Sequence, residues 1–270
     1  MTSVVVACEE SAPVLAVDIG GTKFESGLVD SYGRILDSRR AATTGVDGEA
    51  LFEELIGIVD PLLALGPVVG IGVGCGGPMT GGGLLVSPLN IGQWRDFPLA
   101  ARLAERTGAV VEVDNDAKAL ALGEGWCGAA VGERNYLAMV VSTGVGGGVV
   151  LDGRLLDGAA GNAGHVGHVV VDPDGPPCAC GNRGCLEAVA SGPAIQRQTG
   201  APPAMATPEV RSRTGDLVGQ AVATVVNLLD LRLAVVAGSV ALGFGTPFFD
   251  AAQRRLDSEC GLEFTRGARI

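Results

Sequence analysis

The chain has 270 residues, of which 47% are hydrophobic and 18% are charged, so it can bury a sizeable core and does not have the composition of a disordered protein. Its formal net charge of −11 and its aromatic content of only 4% argue against binding of nucleic acid or of an anionic membrane surface. The N-terminus lacks the basic start of a secretory signal, and no apolar run reaches the ~20 residues of a membrane-spanning helix.

The first part of the chain alternates between strand-like and helix-like patterns. Short apolar runs next to glycine indicate strands, whereas the spacing of Leu51, Leu55 and Leu62 indicates a helix. Residues 1–13 are expected to form a loose tail, and residues 76–89 a loop. The other predicted elements are strands at 14–18, 24–30 and 34–42, a helix at 48–65, a strand at 68–74, a helix at 98–108 and a strand at 109–114.

The second part continues the alternation, which predicts an α/β fold in which some strands pair as hairpins. We expect an irregular segment at 157–188. The other predicted elements are a helix at 117–130, strands at 136–142 and 146–153, a helix at 215–230, a strand at 233–238 and a helix at 246–259. Because 270 residues exceed the ~100–200 of a typical domain, we divide the chain into an N-terminal lobe, residues 1–116, and a C-terminal lobe, residues 117–270.

Two glycine-rich turns connect predicted strand pairs: residues 18–23 (DIGGTK) and residues 142–148 (STGVGGG). Glycine lets the backbone approach a phosphate closely, and the neighbouring hydroxyls can donate hydrogen bonds. The first turn is not a P-loop, because the required spacing and the following helix are absent. Either turn alone is compatible with an ordinary hairpin, but the pair indicates two contacts to nucleotide phosphates.

A third glycine pattern, residues 72–77, satisfies G-x-G-x-x-G after a strand. A dinucleotide-binding site needs a helix that begins at these glycines, so that its N-terminus faces the pyrophosphate. Pro78 and the glycines after it offer no such helix. We therefore do not expect a Rossmann oxidoreductase.

Asn115 and Asp116 stand between a predicted strand and a predicted helix. An Asp at this place can accept the proton of a hydroxyl nucleophile, as phosphoryl transfer to an alcohol requires. An isolated Asp before a helix is also a common N-cap. Both interpretations remain open from the residues alone.

The two histidines of the chain, His165 and His168, lie just before three close cysteines, Cys178, Cys180 and Cys185. One histidine and three thiols match a closed, structural Cys₃His zinc site, and buried free cysteines are the alternative. We expect loss of the metal to disturb a nearby binding site but not the glycine turns. An odd total of seven cysteines predicts a reducing, cytoplasmic location.

Together these motifs resemble the ROK family of sugar kinases, which have the two-lobed actin-like ATPase fold, itself ribonuclease H-like. The resemblance runs from about Val14 to about Gly245. It implies ATP and Mg²⁺ as cofactors, a structural Zn²⁺ in the zinc loop, and a nucleotide site built from both glycine turns and the segment at Gly238-Ser239. The implied nucleotide-binding residues are Asp18, Gly20, Gly21, Thr22, Lys23, Thr143, Gly144, Gly146, Gly147 and Gly238.

The same resemblance implies that Asp116 is the catalytic base and that Glu187 is an acid reaching the sugar. The implied zinc ligands are His168, Cys178, Cys180 and Cys185. The implied sugar-binding residues are Gly77, Asn90, Asn115, Asp116, His165, His168 and Glu187.

The sequence departs from the family pattern in three places. Most ROK kinases carry Glu at the position of His165, and a histidine there is similar to bacterial N-acetylmannosamine kinases. The stretch between Ser191 and Gly215 is shorter than usual. The chain also stops at Ile270, where the family continues into a closing helix, so we expect reduced stability.

The implied activity is transfer of the ATP γ-phosphate to the 6-hydroxyl of a hexose or N-acetylhexosamine, with N-acetylmannosamine as the preferred substrate and a homodimer as the active form. Glucokinase activity, with ATP or polyphosphate as donor, is the main alternative. A catalytically silent sugar-binding protein is a further one. A DNA-binding regulator would need an N-terminal helix-turn-helix, for which the residues before Asp18 leave no room, and we expect none.

Overall fold

A computed structural model describes residues 12–270. The predicted loose tail at residues 1–13 lies almost entirely outside these residues. Cys8 and the N-terminal start that lacks a secretory signal also lie outside them. The described chain divides into two compact units, residues 12–116 and residues 117–270. No helix among the described residues is long and apolar enough to cross a membrane.

The first unit is built around a five-stranded sheet in the order β3-β2-β1-β4-β5. Strands β3, β2 and β1 are antiparallel, which confirms the predicted hairpin, whereas β1, β4 and β5 are parallel. The helices α1 and α2 contribute the buried apolar faces that cover this sheet. The elements are β1 (Val14–Ile19), β2 (Lys23–Val29), β3 (Ile35–Ala42), α1 (Gly48–Leu63), β4 (Ile71–Cys75), α2 (Leu99–Thr107) and β5 (Val111–Asn115).

The second unit has a four-stranded sheet in the order β8-β7-β6-β9, again with an antiparallel hairpin beside a parallel pair. The long helix α6 packs on α8, and both bury apolar side chains in one core. The elements are α3 (Asp116–Cys127, beginning at the last residue of the first unit), β6 (Tyr136–Val141), β7 (Val145–Leu151), β8 (Arg154–Leu155), α4 (Leu186–Ala190), α5 (Gly192–Thr199), α6 (Pro208–Leu229), β9 (Ala234–Ala237), α7 (Ser239–Phe244) and α8 (Thr246–Glu259).

The structure corrects the sequence-based prediction at three short helices and one helix start. Helices α4, α5 and α7 were not predicted, because each is too short to show a full amphipathic repeat. Helix α6 begins at Pro208, seven residues before the predicted start, where Thr207 caps it by accepting from the Val210 N–H. No α-helix begins at glycine pattern 72–77: a single 3-10 turn at Gly81–Gly83 follows, and the next α-helix is α2.

Candidate active site

Three parallel strands of the first unit end side by side. Ile19 on β1 pairs with Cys75 on β4, which pairs with Asn115 on β5. Ligands of parallel α/β sheets bind outside the carboxyl ends of the strands, because the loops there are free to vary. This edge therefore gathers the first glycine turn, the loop after β4 and the Asn115-Asp116 pair, which the sequence separates by almost a hundred residues.

Asp18 is electrostatically coupled to other acids at this edge. Partial burial of the Asp18 carboxyl raises its pKa most, the charges of Asp116 and Glu25 raise it further, and Lys23 opposes the rise. The same charges act on the Cys75 thiol. Burial raises its pKa most, and the charges of Asp116 and Asp18 raise it further, to far above the usual range. A site where several carboxylates repel each other is suited to a divalent cation or to proton acceptance.

Asp18→Asn is expected to raise the melting temperature at pH 7 slightly, because solvent screens part of the repulsion at this exposed residue. Because folding raises the Asp18 pKa, its charged form destabilises the folded chain once the pH exceeds the ordinary value of 3.8. The gain should therefore shrink as the pH is lowered through the raised pKa. Asp37→Asn is the matched control, since the Arg39 hydrogen bond lowers the Asp37 pKa and its removal should give no gain. An equal gain at pH 4 and pH 7 would contradict the prediction.

The first glycine turn packs directly against Asn90. A Cβ atom on Gly21 would stand 2.9 Å from both the Asn90 Cβ and its carbonyl oxygen, so only glycine permits this approach. The Thr43 hydroxyl donates to the Gly20 carbonyl at 2.9 Å and holds the turn from the other side. A candidate phosphate contact and a candidate sugar contact are thereby neighbours.

The loop that carries Asn90 is fixed by buried aromatic packing. The Trp94 ring is fully buried between Phe24 and Phe97, and its Nε1 donates to the Gly48 carbonyl at 3.0 Å. At the start of this loop the Leu89 N–H donates to the Gly77 carbonyl at 3.2 Å. Gly77, Asn90 and the first glycine turn thus belong to one ordered group.

The second glycine turn lies in the other unit, between β6 and β7. The Ser142 N–H donates to the Gly144 carbonyl at 2.9 Å, which closes the turn. Glu187, at the start of α4, accepts from the Val145 N–H at 2.9 Å. The Ser142 and Ser239 hydroxyls are hydrogen-bonded at 2.8 Å, which links the turn to the start of α7 just after Gly238.

A cavity of about 500 Å³ opens beside this turn within the second unit. Its size suits a nucleoside. The glycine turn and the Gly238-Ser239 segment are expected from the sequence, whereas the other walls are not, because α5, the 202–204 loop and α7 carry no motif. The lining residues are Ser142, Thr143, Gly192, Pro193, Gln196, Pro202, Pro203, Ala204, Ser239, Val240, Gly243 and Phe244.

The histidine segment packs on the strand that follows the second turn. Gly164 has φ +99° and lies so close to the Gly147 carbonyl that a side chain could not fit. Val166 is buried against Gly147, whereas His165 is exposed, with its ring centroid 6.0 Å from that of His168. His165 is therefore presented to solvent beside the zinc loop.

The four predicted zinc ligands come together. Their ligand atoms all lie within 4.8 Å of one another, with Cys178 Sγ 3.7 Å from His168 Nδ1 and Cys180 Sγ 3.7 Å from Cys185 Sγ. A tetrahedral zinc with Zn–S bonds of about 2.3 Å separates its ligand atoms by about 3.8 Å, which the two close pairs match, so the four residues fit the ion after a small closure of the wider separations. His165 is not in this group.

The thiols of the cluster differ in acidity. Burial and the neighbouring Cys180 and Cys178 raise the pKa of the Cys185 thiol to about 12, whereas the Asn182 backbone N–H lowers the pKa of Cys180. A zinc ion deprotonates its thiol ligands, so binding would release protons and weaken at low pH.

The zinc loop is joined to the second glycine turn. Glu187 follows Cys185 by two residues and accepts from the Val145 N–H. The Leu186 N–H also donates to the Val169 carbonyl at 2.9 Å, which pins the loop to the residue after His168. The expectation that metal loss would leave the glycine turns unaffected stays untested, and the Glu187 contact argues against it for the second turn.

The chain is similar in sequence and in structure to several sugar kinases. The profile of the ROK family matches residues 14–244. The chain is 43% identical over 189 residues to a glucokinase of Thermotoga maritima, covering 68% of this chain and 59% of that protein. It is 38% identical over 251 residues to an N-acetylmannosamine kinase of Shigella flexneri, covering 86% and 84%. The chain thus spans about three fifths of the length of the glucokinase.

Among solved structures, the crystal structure of a ROK family glucokinase from Streptomyces griseus in complex with glucose and AMPPNP has a TM-score of 0.84 at 28% identity, covering 96% of this chain and 93% of that one. The predicted α/β fold of the actin-like ATPase class is thereby confirmed.

Proposed function

The chain belongs to the ROK family, and from this premise we propose that it is an ATP-dependent kinase acting on the 6-hydroxyl of a hexose or N-acetylhexosamine. The observation that carries the proposal is the strand edge of the first unit, where Asp116 stands in the field of Asp18 and where Asn90 packs on the first glycine turn. This is the set of groups that phosphoryl transfer to an alcohol requires: a base, a substrate contact and a phosphate cradle.

Asp116 is the proposed general base. It is exposed, and it is the first residue of α3, directly after the end of β5. A carboxylate in this place can take the proton of the sugar 6-hydroxyl as the hydroxyl oxygen attacks the γ-phosphorus of ATP. The proton ends on a carboxylate oxygen of Asp116, and the ADP oxygen leaves opposite to the attacking oxygen.

Asp18 and the two glycine turns are proposed to serve the nucleotide. Backbone N–H groups of glycine turns bind phosphate oxygens, and the cavity of the second unit is proposed to take the adenosine. Hard carboxylate oxygens such as those of Asp18 fit Mg²⁺, either directly or through water. When bound, Mg²⁺ would neutralise charge on the phosphates, and it would also relieve the repulsion between the Asp18 and Asp116 carboxylates.

The sugar is proposed to be N-acetylmannosamine. Its acetamido carbonyl requires a hydrogen-bond donor, which an exposed imidazole at His165 can supply and a carboxylate cannot. The likeness to N-acetylmannosamine kinases over 251 residues supports this choice. Glucose is the second candidate, favoured by the likeness to glucokinases in sequence and in structure.

His165→Glu is expected to shift the ratio of kcat/KM for N-acetylmannosamine over glucose towards glucose by about tenfold or more. The carboxylate loses the donor that the acetamido group requires, while glucose hydroxyls can still donate to it. His165→Gln keeps a donor and serves as the control, which should retain the original preference. A wild-type chain that is equally efficient or better on glucose would overturn the substrate assignment.

A coupled assay of ADP release tests the kinase itself, with glucose, mannose, fructose, N-acetylglucosamine and N-acetylmannosamine as acceptors and with polyphosphate as an alternative donor. A chain that binds sugar but releases no ADP would be a silent sugar-binding protein.

We further propose a homodimer in the cytoplasm. The grouped thiols of the zinc loop fit a reducing compartment, and light scattering of the purified chain tests the dimer.

A further inference from the structure

Lys118 is the only charged residue that is fully buried among residues 12–270, with 2% of its side chain exposed. It lies in the first turn of α3, two residues after Asp116. Burying an ammonium group costs several kcal/mol unless good hydrogen-bond partners surround it. The groups that accept hydrogen bonds from the Lys118 ammonium therefore indicate its role.

Two of these groups belong to a single turn, residues 157–163. Lys118 Nζ donates to Asp157 Oδ1 at 2.9 Å and to the Gly161 carbonyl at 3.3 Å. The turn is closed by the Ala163 N–H, which donates to the Asp157 carbonyl at 2.9 Å. The Asp157 side chain is 70% exposed, so the buried Lys118 ammonium contacts a turn at the surface of the protein.

The helix that carries Lys118 is itself fixed on β7. A Cβ atom on Gly148 would stand 2.9 Å from the Lys118 Cα and 2.7 Å from the Ala121 Cβ, so helix and strand are in close contact. The exit of the turn is fixed on the same strand, where Gly164 lies against Gly147. Between these two anchors, the Lys118 ammonium links the turn to the helix interior.

We propose that Lys118 is a positioning residue for the sugar: through the turn at 157–163 it sets the place of His165, which follows two residues later. The proposal rests on the sugar contact assigned to His165 above. A binding side chain must be held within about 0.5 Å of its productive position, and the backbone that places His165 continues directly from the turn at 157–163. Lys118 thereby links the helix of the catalytic base to the wall that selects the sugar.

A purely stabilising ion pair would behave differently. Replacing a buried ion pair by an apolar side chain is often neutral for stability, because the desolvation cost disappears together with the attraction. A positioning role predicts weaker sugar binding even where stability is kept. The affinity for ATP should stay close to that of the wild type, because the 157–163 turn that the Lys118 ammonium holds does not line the proposed nucleotide cavity.

The test compares Lys118→Met, Asp157→Asn and the double variant, with Asp250→Asn, an exposed carboxylate on α8, as control. Sugar Kd is measured by calorimetry without ATP, KM for ATP by ADP release, and amide hydrogen exchange over residues 157–165 by mass spectrometry. We expect the Kd for sugar to rise about tenfold or more in Lys118→Met, with faster exchange at 157–165. Asp157→Asn should move both readouts in the same direction, and the double variant should be no worse than Lys118→Met.

Unchanged sugar Kd in both single variants would overturn the proposal, as would a rise in KM for ATP equal to the rise for sugar. Asp157→Asn alters only the exposed partner, so it remains informative if Lys118→Met fails to fold. If the wild-type chain binds sugar without phosphorylating it, the proposed kinase activity is refuted. The sugar Kd values of the variants still test the role of Lys118, because they are measured without ATP. A chain that binds none of the sugars would overturn both.

Discussion

Asp116→Asn is expected to lower kcat by about 10²–10⁴-fold while the sugar Kd changes only slightly. Asparagine keeps the shape and one acceptor oxygen of the side chain but cannot take the proton of the sugar hydroxyl. Asp116 stands at the start of α3, directly after β5. Because Asp and Asn are both favoured at a helix start, the substitution should leave the backbone unchanged. Steady-state and single-turnover kinetics check the prediction.

Glu112→Gln is the matched control, because Glu112 is an exposed carboxylate on β5, the strand that ends just before Asp116. It should leave kcat near the wild-type value. If Asp116→Asn turns over as fast as Glu112→Gln, Asp116 has only the structural role of starting a helix. Since the Asp116 charge also raises the Asp18 pKa, the variant should in addition lower the Asp18 pKa towards its ordinary value.

Removal of the zinc site is expected to have the second large effect. Purified chain should hold about one zinc, bound by the Cys₃His cluster. Cys178→Ser should lose it and lower the free energy of unfolding by roughly 4 kcal/mol or more, since loss of a structural metal is among the costliest single changes. Elemental analysis and thermal melts with and without a chelator measure both quantities.

The kinetic consequence of zinc loss should extend to the nucleotide. Cys185 leads directly into α4, where Glu187 holds the Val145 N–H at the second glycine turn. We therefore expect Cys178→Ser to raise KM for ATP as well as KM for the sugar. Cys127→Ser, at an exposed thiol outside the cluster, is the control and should change neither. Freshly purified wild-type chain without measurable zinc would contradict the assignment.

The linear sequence determined the features that depend on neighbours in the chain. The hairpins around DIGGTK and STGVGGG, the helix that begins at Asp116 and the composition of the zinc cluster all follow from local patterns, because strand periodicity, turn residues and ligand spacing act over a few residues. The absence of an α-helix that begins at residues 72–77 could likewise be predicted, since Pro78 and several glycines oppose α-helix formation there.

Only the tertiary structure decided which distant groups meet. The link from Glu187 to Val145 spans 42 residues, and the bond from Lys118 to Asp157 spans 39, while neither pair stands out in the chain. The cavity of the second unit is assembled from α5, α7 and two loops whose glycines, prolines and short helices show no periodicity. Such contacts depend on how the two sides of a packed core fit together, and this fit is set by side-chain volume and backbone approach over the whole unit, which no local pattern encodes.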